Sequence, residues 1–284
     1  MMAEDLGTGA ENTWCPGCGN FGILNSMKNV VERLEEDDIG REKLLISAGI
    51  GCHAKIFDYL NLSGLYSIHG REIATIQGMK FANPDLKVIG FGGDGDAYGE
   101  GLSHLIFAAK RNADITMIVH NNSSYSLTTG QMSPTSEKGY KGPSTPEGSI
   151  EDPLNPLMLM LSAEASFVSR GYAGKIEHLT DLIVEAIEHE GFSLVDVLQP
   201  CVVFHDDQYQ KYNEAVEILE EPAKTRYEAM ELTEETERLP IGVLYKEDKP
   251  VYHEEIYPDL NVVEDKLGKD ERRKQIEKIL EERT

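Results

Sequence analysis

The chain has 284 residues and a mass of 31.6 kDa, long for one ordinary domain and short for two, so one large α/β unit with an appendage is the first expectation. Apolar residues make up 40 % and charged residues 27 %, a balance that supports a sizeable core and excludes a disordered or collagen-like chain. The 50 acidic against 27 basic side chains leave a net charge of −23, which opposes binding to nucleic acid or to an anionic membrane.

Met1 to Asp5 has neither the basic nor the apolar region of a signal peptide, and no apolar run reaches the roughly 20 residues of a membrane helix, so a soluble cytoplasmic protein is expected. Trp14-Cys15-Pro16-Gly17-Cys18-Gly19-Asn20 reads as a tight turn. Ile23, Leu24, Met27, Val30, Val31 and Leu34 then recur at helical spacing until the run Glu35 to Asp38 ends the pattern. Leu44 to Ala48 reads as a buried strand running into Gly49-Ile50-Gly51-Cys52-His53. A helix from about Glu72 to Ala82 stops at Asn83-Pro84, because the proline ring disfavours helical geometry in the residue before it.

Val88 to Gly92 is a short strand, Gly93-Asp94-Gly95-Asp96 a turn, and Leu102, Leu105, Ile106 and Ala109 mark a helix that leads to the strand Ile115 to Val119. Strand, turn, helix and strand form a βαβ unit, so a mostly parallel sheet with its ligand at the strand C-termini is predicted. Residues 123–156 are rich in Ser, Thr, Gly and Pro and read as a long functional loop. Helices are predicted for Leu157 to Arg170, with Leu157-Met158-Leu159-Met160-Leu161 as core, and for Glu177 to Glu190. A strand over Phe192 to Leu198 leads into Pro200-Cys201. Residues 221–284, with 18 acidic and 12 basic side chains, read as a peripheral C-terminal segment on a main domain of residues 1–220, which keeps most of the acidic excess.

Gly90-Phe91-Gly92-Gly93-Asp94-Gly95 satisfies the dinucleotide pattern G-x-G-x-x-G, so a nicotinamide-dependent dehydrogenase is one reading. Electrostatics oppose it, because a bare Asp94 carboxylate would repel a pyrophosphate. A magnesium ion bridging carboxylate and diphosphate removes the conflict, and Asn122, at the end of the next strand, is placed to add an oxygen. Gly93-Asp94-Gly95 followed by Asn121-Asn122 resembles the thiamine-diphosphate enzymes. That resemblance implies Mg²⁺ on Asp94, Asn122 and the Ser124 carbonyl, with Gly95 and Asp96 against the diphosphate. Four cysteines, one C-x-x-C pair among them, fit one [4Fe–4S] cluster or one Cys₄ zinc, the latter leaving a non-catalytic scaffold as a further reading.

Trp14-Cys15-Pro16-Gly17-Cys18-Gly19, Gly49-Ile50-Gly51-Cys52, His69-Gly70-Arg71, Gly92 to Asp96, Gly130-Gln131 and Gln199-Pro200-Cys201 together resemble the β subunit of the 2-oxoacid:ferredoxin oxidoreductases, in the family's order over residues 12–205. The resemblance implies a thiamine-diphosphate-binding fold and a [4Fe–4S] cluster on Cys15, Cys18, Cys52 and Cys201. It also implies cofactor contacts from Ile50, Gly51, Cys52, His53, His69, Ser126 and Leu127, with Lys55 near the substrate. Ser126 departs from the glycine common in the family. Trp14, His104 and Tyr125 read as packing residues. The implied reaction is oxidative decarboxylation of a 2-oxoacid, pyruvate or 2-oxoglutarate, to acyl-coenzyme A, with electrons passing to ferredoxin. The glutamate that activates thiamine would come from an α subunit, so an αβ heterodimer or its dimer is expected.

Overall fold

The computed structural model describes residues 6–234, 237–257, 261–263 and 268–282. In chain order the elements are α1 (Asn20–Glu36), β1 (Leu44–Ala48), α2 (Ile56–Tyr59), β2 (Ser63–Tyr66), α3 (Glu72–Ala82), β3 (Lys87–Gly93), α4 (Leu102–Lys110), β4 (Ile115–Asn121), α5 (Pro156–Ser162), β5 (Phe167–Tyr172), α6 (Ile176–Glu188), β6 (Phe192–Leu198), α7 (Gln208–Ala215), β7 (Val216–Ile218), α8 (Arg226–Glu234), β8 (Leu239–Lys246), α9 (Tyr252–Ile256) and α10 (Lys269–Glu282). The strands form one sheet in the order β2-β1-β3-β4-β6-β5-β8-β7, in which, among the described residues, only β5 and β8 pair antiparallel.

The period of two along each strand sorts apolar side chains onto two faces. Ile89, Phe91 and Ile118 join Ile23, Met27 and Leu34 of α1 and Leu179 and Ile183 of α6 on one face. Val88, Met117, Val119 and Leu194 meet Ile73 and Ile76 of α3, Leu105 of α4 and Leu157 and Met160 of α5 on the other. Helices on both faces explain why the central strands are near-continuous apolar runs. Because β1, β3, β4 and β6 run parallel, their C-terminal ends share one edge of the sheet. The cysteine- and glycine-rich loops therefore arrive together.

Two expectations change, and one strand is new. The helix predicted through Arg170 ends at Ser162. Glu164 takes a left-handed backbone (φ 64°) and the chain re-enters the sheet as β5, where Phe167 and Val168 are buried on opposite faces. Strand β2 carries no pattern that would reveal it, since all four of its residues are exposed at the sheet edge. The boundary at residue 220 cuts through the sheet. Strand β8 pairs with β5, and Ile241, Leu244 and Ala229 are fully buried, whereas α10 buries none of its described residues.

Candidate active site

Two adjoining cavities open at the strand C-termini. The first is lined by Ile50, Gly51, Cys52 and His53 after β1, by His69, by Asp94, Gly95 and Asp96 after β3, and by Asn122, Ser124, Ser126 and Leu127 after β4. The second, of about 270 Å³, is lined by Cys15, Cys18, Cys52, Cys201 and Lys55, and shares Cys52, Asn122, Ser126 and Leu127 with the first. Every site residue singled out in the sequence thus faces one of the two. His104 faces neither.

Asp94 is buried at the end of β3, where the chain enters a π-helical turn over Gly95–Glu100. Ser133 Oγ, at 2.5 Å, donates to its Oδ2. Thr135 Oγ1 lies 2.7 Å from the same oxygen and 2.9 Å from Asn121 Oδ1. Burial pushes the carboxyl up to about 6, against the lowering effect of these bonds. Asn122 Nδ2 donates to Gln199 Oε1 at 3.0 Å, and its Oδ1 accepts from the Ser124 amide at 3.1 Å. The donor set on this side of the pocket is one carboxylate, one amide oxygen and backbone carbonyls. Such hard oxygens suit Mg²⁺ and are too few to fill its shell without phosphate oxygens. Gly95 leaves no room for a Cβ, which would overlap the Tyr125 ring. Tyr125 Oη also reaches the Glu100 carboxylate at 3.3 Å, so this residue braces the pocket wall and does more than fill space.

Asp96 is a hub. Its Oδ2 accepts from the Ile50 amide at 3.2 Å and lies 3.0 Å from His53 Nε2. Its Oδ1 accepts from the Gly70 amide at 2.5 Å and forms an ion-pair contact of 2.6 Å with His69 Nδ1. Burial alone would raise this carboxyl, but the two histidines outweigh it and hold Asp96 at about 2. The same contact raises the His69 ring above its ordinary value. Asp96 therefore stays ionised and ties the loops after β1, before α3 and after β3 into one wall.

The thiols surround the second cavity without converging. Among the described residues no three His, Cys, Asp or Glu side chains approach as ligands of a single ion, yet all four cysteines face one hollow. Four thiols on one hollow match in number the ligands of one [4Fe–4S] cluster or of one Cys₄ zinc. Burial raises Cys18 to about 11 and raises Cys52 too, the latter opposed by the Lys55 ammonium. Lys55 Nζ donates to Thr13 Oγ1 at 2.8 Å. Trp14 packs edge-on against Phe21 and Tyr59, and its indole donates to the Cys52 carbonyl at 2.6 Å. Thr129, on the same wall, is a β-branched residue at φ 83°, an outlier of the kind that clusters at functional sites.

Sequence reading missed Ser133, Thr135 and Glu72. The first two lie in the loop of residues 123–156, where many Ser and Thr hide the pair that matters. Glu72 opens an amphipathic helix, where a carboxylate ordinarily faces water.

Residues 49–197 match the model of the thiamine pyrophosphate enzyme C-terminal TPP-binding domain, and residues 201–259 that of the C-terminal region of the pyruvate ferredoxin oxidoreductase β chain. The chain is 39 % identical to the 2-oxoacid:ferredoxin oxidoreductase subunit β of Saccharolobus solfataricus, over 84 % of this chain and 82 % of that one. It is 35 % identical to the 2-oxoglutarate synthase subunit KorB of Methanothermobacter marburgensis, over 90 % and 89 % of the two chains. Among solved structures, 2-oxoglutarate:ferredoxin oxidoreductase from Magnetococcus marinus, with 2-oxoglutarate, coenzyme A and succinyl-CoA bound, superposes with a TM-score of 0.87. The identity there is 33 %, covering 96 % of this chain and 94 % of that one.

Proposed function

Since the chain belongs to the β subunits of the 2-oxoacid:ferredoxin oxidoreductases, we propose that its first cavity seats thiamine diphosphate with Mg²⁺ and its second a [4Fe–4S] cluster. The enzyme converts a 2-oxoacid and coenzyme A to acyl-CoA and CO₂, together with an α subunit. One observation carries the cluster assignment: four cysteines from three separate loops line a single cavity that shares a wall with the cofactor pocket.

When bound, thiamine diphosphate supplies the electron sink for decarboxylation and the cluster accepts electrons singly; the chain positions both. Asp94, Asn122 and the Ser124 carbonyl would hold Mg²⁺, and Gly95 with the Asp96 wall would face the diphosphate. Cys15, Cys18, Cys52 and Cys201 would ligate the cluster as thiolates. The carboxylates lining the pocket are Asp94 and Asp96, and both are engaged as described. As family membership implies, the glutamate that activates thiamine would come from the α subunit, docked over the exposed Ile50 and Leu127 that line the pocket. A Lys55 ammonium set against a substrate's distal carboxylate would favour a dicarboxylic 2-oxoacid such as 2-oxoglutarate. An unchanged 2-oxoglutarate to pyruvate preference in Lys55→Ala would remove that role. The electron acceptor is ferredoxin and the assembly an αβ heterodimer or its dimer. Among the described residues no helix is long and apolar enough to cross a membrane.

The test is anaerobic purification of the αβ complex. About four irons, bound thiamine diphosphate and 2-oxoacid-dependent ferredoxin reduction are expected. One zinc with no iron, or full turnover by the β chain alone, would overturn the reading.

A further inference from the structure

Glu72 is fully buried at the start of α3, and among the described residues no donor other than its own backbone amide comes near its carboxyl oxygens. A bare buried carboxylate without donors is strongly disfavoured. Its surroundings are tight. A Cβ at Gly92 would fall 2.9 Å from Oε1, and a Cβ at Gly49 would run into both Asp96 Oδ2 and Glu72 Oε2, the latter at 2.7 Å. The two carboxyl groups therefore converge on the same point beside β1. The charged groups that bear on Glu72 are Asp96, from the turn after β3, and Arg71, next to it in sequence, while His53 and His69 meet Asp96. Two adjacent carboxyl groups do not both carry charge in such a place, and Asp96 already has two amides and two imidazoles around it, whereas Glu72 has no such partners and is the one placed to hold a proton. Burial first, and the Asp96 charge second, push Glu72 well above the ordinary carboxyl range.

We infer that Glu72 keeps its proton in the folded subunit and donates a hydrogen bond through it to Asp96, forming an acid–carboxylate pair that positions His53 and His69 at the pocket. Glu72 touches no cofactor or substrate in this arrangement. It acts through Asp96 by completing that carboxylate's set of donors, so the carboxylate cannot rotate away from the imidazoles. The effect on the pocket rests on the cofactor assignment above; the location of the proton does not.

The experiment separates the two. Infrared difference spectra of the αβ complex at pH 7, wild type minus Glu72→Gln, are expected to show the C=O stretch of a protonated carboxylic acid. Its absence would mean that Glu72 is ionised and would overturn the inference. Thiamine diphosphate affinity is then measured by calorimetry in the presence of Mg²⁺. Glu72→Gln, whose amide can donate to Asp96 from the same place, is expected to bind within about twofold of wild type. Glu72→Met, of similar volume but without a donor, is expected to bind about tenfold more weakly, the scale of one hydrogen bond to a charged group. Equal affinity of the Met and Gln variants would overturn the positioning role. Should Glu72→Met not assemble, a tenfold loss in Glu72→Gln would do the same. Failure of all proteins, wild type included, to bind thiamine diphosphate would refute the cofactor assignment and leave the infrared result standing.

Discussion

Around the first cavity, Asp94 and Asp96 each meet at least two oxygen-directed donors from the chain, whereas around the second, among the described residues, the thiols meet weaker sulfur contacts, such as Gln199 Nε2 to Cys18 Sγ at 3.7 Å and Ser126 Oγ to Cys201 Sγ at 3.6 Å, beside the Asn20 backbone amide at Cys18. The two regions share Cys52 and a wall, yet differ in what fixes their chemistry. The carboxylate side is preorganised by the protein's own hydrogen bonds, set before any ligand arrives. The thiol side relies on what the sulfurs would bind, because burial favours the neutral thiol at Cys18 and Cys52 and only a bound cationic centre reverses that.

The sharpest way to break this comparison is a crossed pair of ligand substitutions. Cys18→Ser is expected to remove most of the iron and to lower 2-oxoacid-dependent ferredoxin reduction at least about 100-fold, while thiamine diphosphate still binds. Asp94→Ala is expected to do the reverse, retaining iron and losing Mg²⁺-dependent cofactor binding by a similar factor. Iron analysis and cofactor titration on both proteins check it. If either variant loses both groups, the two cavities form one cooperative unit and the distinction fails.

A smaller effect comes from proton competition at Asp94. Its folded-state pKa, near 6, lies above the ordinary aspartate value of 3.8, so without metal the folded chain holds a proton there more tightly than the unfolded chain does. The stability this contributes is present below pH 3.8 and is lost as the pH rises through about 6. A Mg²⁺ ion needs the carboxylate. Its affinity should therefore fall by up to about tenfold per pH unit below 6, and stay level above it. Thr135→Val, which removes a donor from Asp94, is expected to weaken Mg²⁺ about tenfold at neutral pH and to move the break in the profile upward, since one of the bonds holding the carboxylate charged is gone. A profile that breaks at the same pH in wild type and variant would show that Thr135 does not reach Asp94 in solution.

Much of this was legible in the sequence because the chemistry sits where the pattern is loudest. Strands β1, β3, β4 and β6 are short apolar runs that lead into turns carrying Gly, Asn or Cys, and parallel pairing then brings those turns to one edge without further information. The strand β5 was hidden because the apolar run Leu157 to Val168 serves a helix first and a strand second, and only the reversal at Glu164 separates them. Likewise Leu239–Lys246 is flanked by charged residues, and composition concealed a strand whose inner side chains are fully buried. The family pattern places Asp96 against the diphosphate. That its carboxylate organises two histidines, with Glu72 behind it, depends on contacts between residues 43, 27 and 24 positions away, which no local pattern encodes.

The smallest expected effect tests the wall that the two cavities share. Trp14 is the chain's single tryptophan, and its indole N–H holds the carbonyl of Cys52, one of the four residues common to both cavities. Trp14→Phe keeps the edge-on packing against Phe21 and Tyr59 and removes only that donor, leaving a half-buried carbonyl unanswered. The loss in stability should be about 1 kcal/mol, the usual net worth of one hydrogen bond. Iron content should remain, because the sulfur of Cys52 is untouched. If the shared wall couples the cavities, however, thiamine diphosphate affinity should also fall about twofold to threefold, since the Ile50 amide that binds Asp96 lies two residues before Cys52 on the same loop. Chemical denaturation and cofactor titration of the same preparation measure both quantities. A stability loss with unchanged cofactor affinity would confine the Trp14 bond to the thiol side and separate the regions more completely than their shared residues suggest.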